Sequence, residues 1–465
     1  MTQDPIRHYV VVKARGEGVK PEDFNSDSDE ARREAATRLA FLLFGQTIDK
    51  PPFEVRAIPS NDVFSGHRRP KRRPKTPEIV VALDVTGSDK QSATDVVNDI
   101  IKAVEQKPKV FTGDSPDLLF ATSDHWCMGD ASDSIFANRT AAQRVLGVDY
   151  LHKQASTTGQ GVNVVIVDQG LDKQALGNRY GDGWHVGSAK PGSPEPHPGS
   201  VRRSHGMMIA HNILQVAPQA TLFDLPLAPT KISNIHAFLS LADAAYRKML
   251  IDISLWRVTK YPGPWILVNP WGIYDRRSEY PLGCYTENPN NPFNILVAGA
   301  VLLGIDVVFA AGNCGQFCPD KRCGGLDRGP SRSIWGANSL DPVITAGAVR
   351  ADDMWLGYSS QGPGQPRLGA DKPDLCATSQ FREDDDAFSV NTGTSAACGL
   401  TAGIVAALRS RWDSATVSPH HLKQALNRTA RKPVGIPWTN ELKHRLGHGV
   451  LDARAAFEAL ENQYP

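Results

Sequence analysis

Short apolar runs alternate with helical patterns along the last two-thirds of the chain. Val162-Asn163-Val164-Val165-Ile166-Val167, Ala220 to Leu225, Trp265 to Asn269 and Asp306 to Ala311 have the length and continuity of buried strands. Ala141 to Tyr150, Ile232 to Leu255 and Asn294 to Leu303 carry helical spacing between and before them. This alternation predicts a doubly wound α/β domain, a parallel sheet with helices on both faces. In such a sheet, reacting groups belong at the carboxyl ends of strands and on the loops and helix starts beside them. The first part of the chain reads differently. His8 to Lys13 and Phe53 to Ile58 read as strands on either side of a helical run from Glu30 to Phe44, with Ala31, Ala35, Leu39, Leu42 and Leu43 near one face. Residues 1–65 therefore read as a small α+β unit, 66–78 as a basic, proline-rich linker, 79–138 as an α/β connecting segment and 139–465 as the main domain. Within the connecting segment, Glu78 to Ser88 reads as a buried strand and Ala93 to Val104 as a helix, and Phe120 to Asp133 has room for a further strand and loop.

The most suggestive chemistry lies where small residues crowd around one serine, in Asn391-Thr392-Gly393-Thr394-Ser395-Ala396-Ala397-Cys398-Gly399, just before an apolar helical run. A serine there sits among unpaired backbone N–H groups and the positive end of a helix dipole, with room for an approaching group. Gly-Thr-Ser also makes an ordinary N-cap. Three further sites narrow the reading. The strand ending in Val167 runs into Asp168-Gln169-Gly170, Ser204-His205-Gly206 opens an apolar helix, and the strand ending in Ala311 runs into Gly312-Asn313. An acid and a carboxamide end strands, while a histidine and a hydroxyl begin helices. The order is Asp, His, Asn, Ser.

This set resembles the subtilisin-like serine proteases, whose triad runs Asp, His, Ser along the chain. Pro342 to Val349, Tyr358 to Pro363 and Lys372 to Leu375 are similar to family segments between the Asn and the Ser, and Gly447 to Ala453 to its closing strand; the resemblance spans roughly residues 139–460. It implies a serine endopeptidase acting through an acyl-enzyme, with protein or peptide substrates and no cofactor for the chemistry. It implies His205 as general base and then acid, Asp168 as its orienting partner, Ser395 as nucleophile, and Asn313 with the Ser395 backbone N–H as the oxyanion donors. Pro270-Trp271-Gly272 falls where the family lines its primary specificity pocket; Trp271 there suggests a narrow or shallow pocket, or else a core tryptophan. Many subtilases carry an N-terminal unit that assists folding and blocks the cleft; residues 1–65 match it in position and pattern, or form an unrelated accessory domain.

The chain departs from the family at Gln169, Met207-Met208 and Gly399, which stand where Ser or Thr, Thr-His and Pro are usual. None removes a reacting atom, but a pseudoprotease that keeps the cleft for binding stays a rival, as does a protease dedicated to one partner. Structural Ca²⁺ is common in the family, yet no compact acidic cluster marks a site; the run Glu383-Asp384-Asp385-Asp386 reads as a solvated loop before a ligand set. Asp84-x-Thr86-x-Ser88 is similar to a metal-ion-dependent adhesion motif or caps a helix. Cys314, Cys318 and Cys323 could form a disulfide, hold Zn²⁺ or stay free, Cys398 reads as a core residue, and neither His185 nor His197 has ligand spacing.

Charge adds little. Lys and Arg total 51 against 50 Asp and Glu, so nothing draws the chain toward nucleic acid or an acidic membrane. The cluster Arg68 to Lys75 reads as a solvated tether or a processing site, without the aromatic interleaving of a nucleic-acid arm. No apolar run is long enough to span a bilayer and no export signal opens the sequence, so a cytoplasmic location with reduced thiols is the expectation. The sequence does not set an oligomeric state.

Overall fold

The structure is a computed structural model of the 465-residue chain. It describes residues 137–465 except 187–196, 202–203, 229–231, 233, 318, 385–389 and 434–436. Before residue 137 it describes 6–15, 29–48, 50–57, 78–87, 95–96, 99–100, 103, 118–122 and 125–128. The basic cluster Arg68 to Lys75, Ser88 of the metal-like motif and Cys318 lie outside these residues.

The N-terminal elements are β1 (Ile6–Arg15), α1 (Asp29–Phe44), β2 (Glu54–Ala57), β3 (Glu78–Gly87), β4 (Leu118–Thr122) and β5 (His125–Met128). They form a 5-stranded antiparallel sheet in the order β2-β3-β1-β4-β5. The helix buries Ala35, Ala36, Leu39, Ala40 and Leu43, the face its spacing indicated. The sheet crosses the divisions drawn from sequence at 65 and 78. Strand β3 lies between β2 and β1 and pairs with β1 along its whole length, so the two stretches are parts of one sheet. Local pattern identifies a strand but not its distant partner.

The second part begins with β6 (Ala137–Asn138), α2 (Arg139–Val145) and α3 (Val148–Lys153), two helices where one was expected, broken at Gly147 with φ of 75°. Next come β7 (Asn163–Val167), α4 (Lys173–Leu176), β8 (Tyr180–Gly183), α5 (His205–Val216), β9 (Thr221–Leu225) and α6 (Ile235–Trp256). Then follow β10 (Trp265–Asn269), α7 (Pro292–Leu302), β11 (Asp306–Ala310), β12 (Ile344–Val349), β13 (Leu375–Thr378), β14 (Phe381–Arg382) and β15 (Val390–Asn391). The chain closes with α8 (Gly393–Arg409), α9 (Pro419–Thr429), α10 (Asn440–Leu446) and α11 (Ala453–Gln463). Seven strands form a parallel sheet in the order β13-β12-β11-β10-β7-β9-β8. This is the doubly wound α/β architecture that the alternation predicts.

Both faces of the sheet are covered, which is why its strands read as continuous apolar runs. Val164, Ile166, Ile266, Val268 and Val308 pack in one cluster with α5 and α8, while Val165, Val167, Leu267, Val307 and Phe309 join the opposite cluster with α6 and α7. Helix α8 is buried along its length after its first residue. A Cβ on Gly403 would lie 2.8 Å from Val216 Cβ, and one on Gly399 would lie 3.0 Å from Asn212 Cβ, so these glycines let α8 and α5 approach closely. At the far end of α8, Arg409 meets Asp306 at 2.5 and 2.7 Å, and this buried pair ties the helix to the start of β11.

Two expectations need correction. Gly447 to Ala453 is not a continuous strand; Val450 makes isolated bridges to Cys376 and Arg431. Nor is the described part of the acidic run a freely solvated loop. Glu383 takes Arg139 at 2.5 Å and Asn391 Nδ2 at 2.6 Å, Asp384 takes the Thr140 hydroxyl at 2.6 Å, and the remaining two acids fall outside the described residues. Glu383 is held well below the usual carboxylate range by hydrogen bonds and charge from Arg139, with His211 and Asn391 adding to it, although burial works the other way. No helix among the described residues is long and apolar enough to cross a membrane.

The close approach of α5 and α8 makes a contrast that thermal unfolding can read. Gly403→Ala is expected to destabilise by about 1–3 kcal/mol through overpacking. Gly299→Ala, in α7 with nothing within 4 Å of the added Cβ, is expected to stabilise by about 0.5–1 kcal/mol through helix propensity. Equal shifts in Tm for the two variants would contradict this packing.

Candidate active site

The chain leaves β7 with Asp168, buried at 2% exposure. Its Oδ1 accepts the Gln169 backbone N–H at 2.7 Å, and its Oδ2 meets His205 Nδ1 at 2.6 Å. His205 is the first residue of α5, whose N-cap Ser204 accepts the Met207 N–H and donates its hydroxyl to the Gly170 carbonyl at 2.5 Å. The capping serine thus fastens the helix start to the loop that follows Asp168. Met207 contributes its sulfur at 3.2 Å from the Asp172 nitrogen. Burial pushes the His205 imidazole down, but the adjacent Asp168 carboxylate outweighs it by charge and hydrogen bond, so the net shift is upward; Arg322 opposes that rise.

Ser395 lies in the first turn of α8 and is 5% exposed. Its hydroxyl donates to the Pro270 carbonyl at 3.2 Å, and no hydrogen bond joins it to His205 among the described residues. Asn313 sits beside it. The Asn313 Oδ1 accepts both the Thr394 N–H and the Thr394 hydroxyl at 2.9 Å, which turns the Nδ2 the other way, toward Tyr274 Oη at 3.2 Å. Gly393 has φ of 73°, and a Cβ there would stand 3.0 Å from Asn313 Nδ2. Glycine therefore serves both the turn into α8 and the room for the amide.

The three residues proposed to line a substrate pocket part company. Pro270 presents its carbonyl to Ser395, and Gly272 borders a cavity of about 10 Å³, roughly one water in size. Tyr274, Asn313, Ser333, Trp335 and Asn338 also line it. The Trp271 indole instead packs in the core, 5.1 Å from the Phe238 ring and 5.6 Å from Phe309. Cys314 and Cys323 form a disulfide, at variance with the expectation of reduced thiols, and Cys398 is buried. His185 and His197, which sequence spacing did not connect, stand with Nδ1 atoms 3.3 Å apart. No group of three or more His, Cys, Asp or Glu suited to a metal occurs among the described residues.

The family model for the subtilases, peptidase family S8, matches residues 159–449. The chain belongs to the subtilase family. It is thus of serine-protease lineage, and its sheet and helices are those of the subtilisin-like fold. Similar solved structures include MycP1 from the ESX-1 type VII secretion system, 20% identical over 70% of this chain and 87% of that one, with a TM-score of 0.47. MycP1 with its N-terminal propeptide removed is 19% identical over 68% of this chain and 96% of that one, at 0.44. A cold-adapted subtilisin-like serine proteinase is 17% identical over 63% and 88%, at 0.42. No curated protein matches the chain.

Around the site of this subtilase stand residues that sequence reasoning passed over. Arg322 reaches close enough to act on His205, and Tyr274 meets Asn313; neither lies in a recognisable motif. Asp224 did leave a signal, as an acid inside the otherwise apolar strand Thr221–Leu225. It is fully buried, and its Oδ2 accepts the N–H groups of Leu171 at 3.0 Å and Gly199 at 2.8 Å, gathering the loop between Asp168 and His205. Its Oδ1 has no hydrogen-bond partner. Burial pushes Asp224 up to about 6 against those two hydrogen bonds, and the charge of Asp168 adds to the rise.

A carboxyl raised on folding favours the folded state while protonated and loses that contribution as pH rises through its folded value. Wild-type stability is therefore expected to fall between about pH 4 and 6, by roughly 3 kcal/mol for a shift of about two units. The neutral Asp224→Asn should flatten that fall. Urea midpoints of both proteins across this range check it, and parallel curves would count against a buried, raised Asp224.

Proposed function

We propose that this subtilase is a serine endopeptidase in which Ser395 attacks the scissile carbonyl and His205 takes its proton. Asp168 orients the imidazole and stabilises its charged form. Asn313 Nδ2 and the Ser395 backbone N–H receive the oxyanion. The observation that carries the reading is the Asp168–His205 contact at 2.6 Å in a site whose other side is Asn313, fixed by Thr394 next to Ser395. In this reading the Ser395 hydroxyl exchanges the Pro270 carbonyl for His205 Nε2 when it reacts. The collapse of the tetrahedral intermediate then expels the amine with a proton from His205, and water resolves the acyl-enzyme by the same route. In this reading the N-terminal region regulates the enzyme, and no cofactor enters the chemistry.

One observation favours a second reading, a binding protein without turnover. The Ser395 hydroxyl rests on Pro270 and the Asn313 amide on Tyr274, so each of these groups has a partner other than substrate. A fluorophosphonate probe separates the two readings. Labelling of the wild type but not of Ser395→Ala is expected, with Asp168→Asn slowed by about 10⁴-fold in turnover of an Ala-containing peptide. A wild type that resists the probe would leave the binding reading in place.

The pH profile supplies an independent check. Because Asp168 raises His205, the acid limb of kcat/KM is expected to have its midpoint above the ordinary 6.5. Arg322 holds the imidazole down, so Arg322→Ala should move the midpoint higher still. A midpoint that moves lower in this variant would show that Arg322 does not act on His205 through its charge.

A further inference from the structure

The loop after Asn313 returns on itself and takes hold of Tyr274. Asn313 is followed by Cys314, whose disulfide to Cys323 closes the loop. Inside it, the Asp320 N–H donates to the Asn313 carbonyl at 2.8 Å, and the Asp320 carboxylate takes the Arg322 side chain at 2.7 and 2.9 Å. The Arg322 guanidinium lies 4.3 Å from the centre of the Tyr274 ring. Just past the bridge, the Gly324 N–H donates to the Tyr274 carbonyl at 2.8 Å, while Cys314 Sγ lies 3.9 Å from the same oxygen. The Tyr274 hydroxyl completes the circuit by accepting from Asn313 Nδ2 at 3.2 Å.

This circuit bears on one torsion. The terminal torsion of an asparagine is broad, so a lone carboxamide samples many planes. Thr394 decides which end of the Asn313 amide faces α8, since both of its donors go to Oδ1. Two contacts at one end leave the plane of the amide free to pivot. A partner for one N–H at the opposite end stops the pivot and leaves the second N–H for an incoming oxyanion. An oxyanion donor works by being aimed before the charge appears, so the orientation is worth part of what the donor itself is worth.

We propose that Tyr274 is a positioning residue of the oxyanion hole, with its hydroxyl fixing the plane of the Asn313 amide and the loop closed by Cys314–Cys323 fixing Tyr274. The proposal rests on the serine-protease reading above. It concerns the transition state and not the ground state, so Tyr274→Phe should lower kcat by about tenfold, a fraction of the 10²–10³ attached to a whole oxyanion donor, with KM changed less than twofold. Binding of a peptide aldehyde, which forms a tetrahedral adduct on serine, should weaken in step with kcat.

The test is a double-mutant cycle on the full chain, with fluorophosphonate labelling of the wild type as its first step. In an Asn313→Ala background, Tyr274→Phe should cost nothing further. Opening the loop with Cys314→Ser plus Cys323→Ser should lower kcat in the wild type and likewise add nothing to Asn313→Ala. A purely structural role for Tyr274 would instead give equal losses in both backgrounds, and that result overturns the proposal. So does an active Tyr274→Phe whose kcat and aldehyde affinity stay within twofold of wild type. A wild type that neither labels nor hydrolyses peptide removes the protease reading, and this one with it.

Discussion

Helix α8 has almost no solvent face, so it must be enclosed before its first turn can be aimed at anything. Its burial against the sheet and against α5 sets the geometry of the site. The glycines at 399 and 403 bring α8 up to α5, whose other end begins with His205. The Arg409–Asp306 pair holds the far end of α8 to β11, and the chain beyond β11 supplies Asn313. Three of the four candidate site residues are therefore placed by what surrounds one helix. The fourth, Asp168, follows strand β7 of the same sheet, two strands from β11.

What was legible in the sequence was local. Asp168, His205, Asn313 and Ser395 each sit at a strand end or helix start that a few neighbouring residues specify, and the apolar runs give the parallel sheet because both of its faces are buried. What was not legible depends on partners far along the chain. Trp271 lies at the expected pocket position, yet its direction is set by Phe238, Phe293 and Phe309, on three other elements. Glu383 looked like one acid in a run until Arg139, 244 positions earlier, was seen to pair with it. The strand Glu78–Gly87 was recognisable as a strand, but its place between β2 and β1 in the N-terminal sheet was not. Gly399 showed in the sequence only as a departure where the family carries proline; that it faces Asn212 and serves close packing depends on α5.

The electrostatics of the site follow from the charges that bear on His205 and Asp168. Asp168 and Asp224 end up close enough to influence one another, and their hydrogen bonds separate their roles. Asp168 faces an imidazole that can carry positive charge, while Asp224 faces two backbone N–H groups and has no cation among its hydrogen-bond partners. Arg322, whose charge bears on His205, is kept by Asp320 and laid over the Tyr274 ring, so that its charge is fixed in place. A disulfide-closed loop thus carries a charge that bears on His205 and holds Tyr274, whose hydroxyl meets Asn313.

The N-terminal sheet has a consequence for any break in the covalent chain. Residues 58–77 connect β2 to β3, and β3 is hydrogen-bonded on one side to β2 and on the other to β1. Scission anywhere in that connection divides the polypeptide without dividing the sheet. The leading fragment keeps two strands clasped around a third that belongs to the trailing fragment. Severing the backbone there yields an interlocked pair, and letting the front piece go requires peeling β3 from both neighbours.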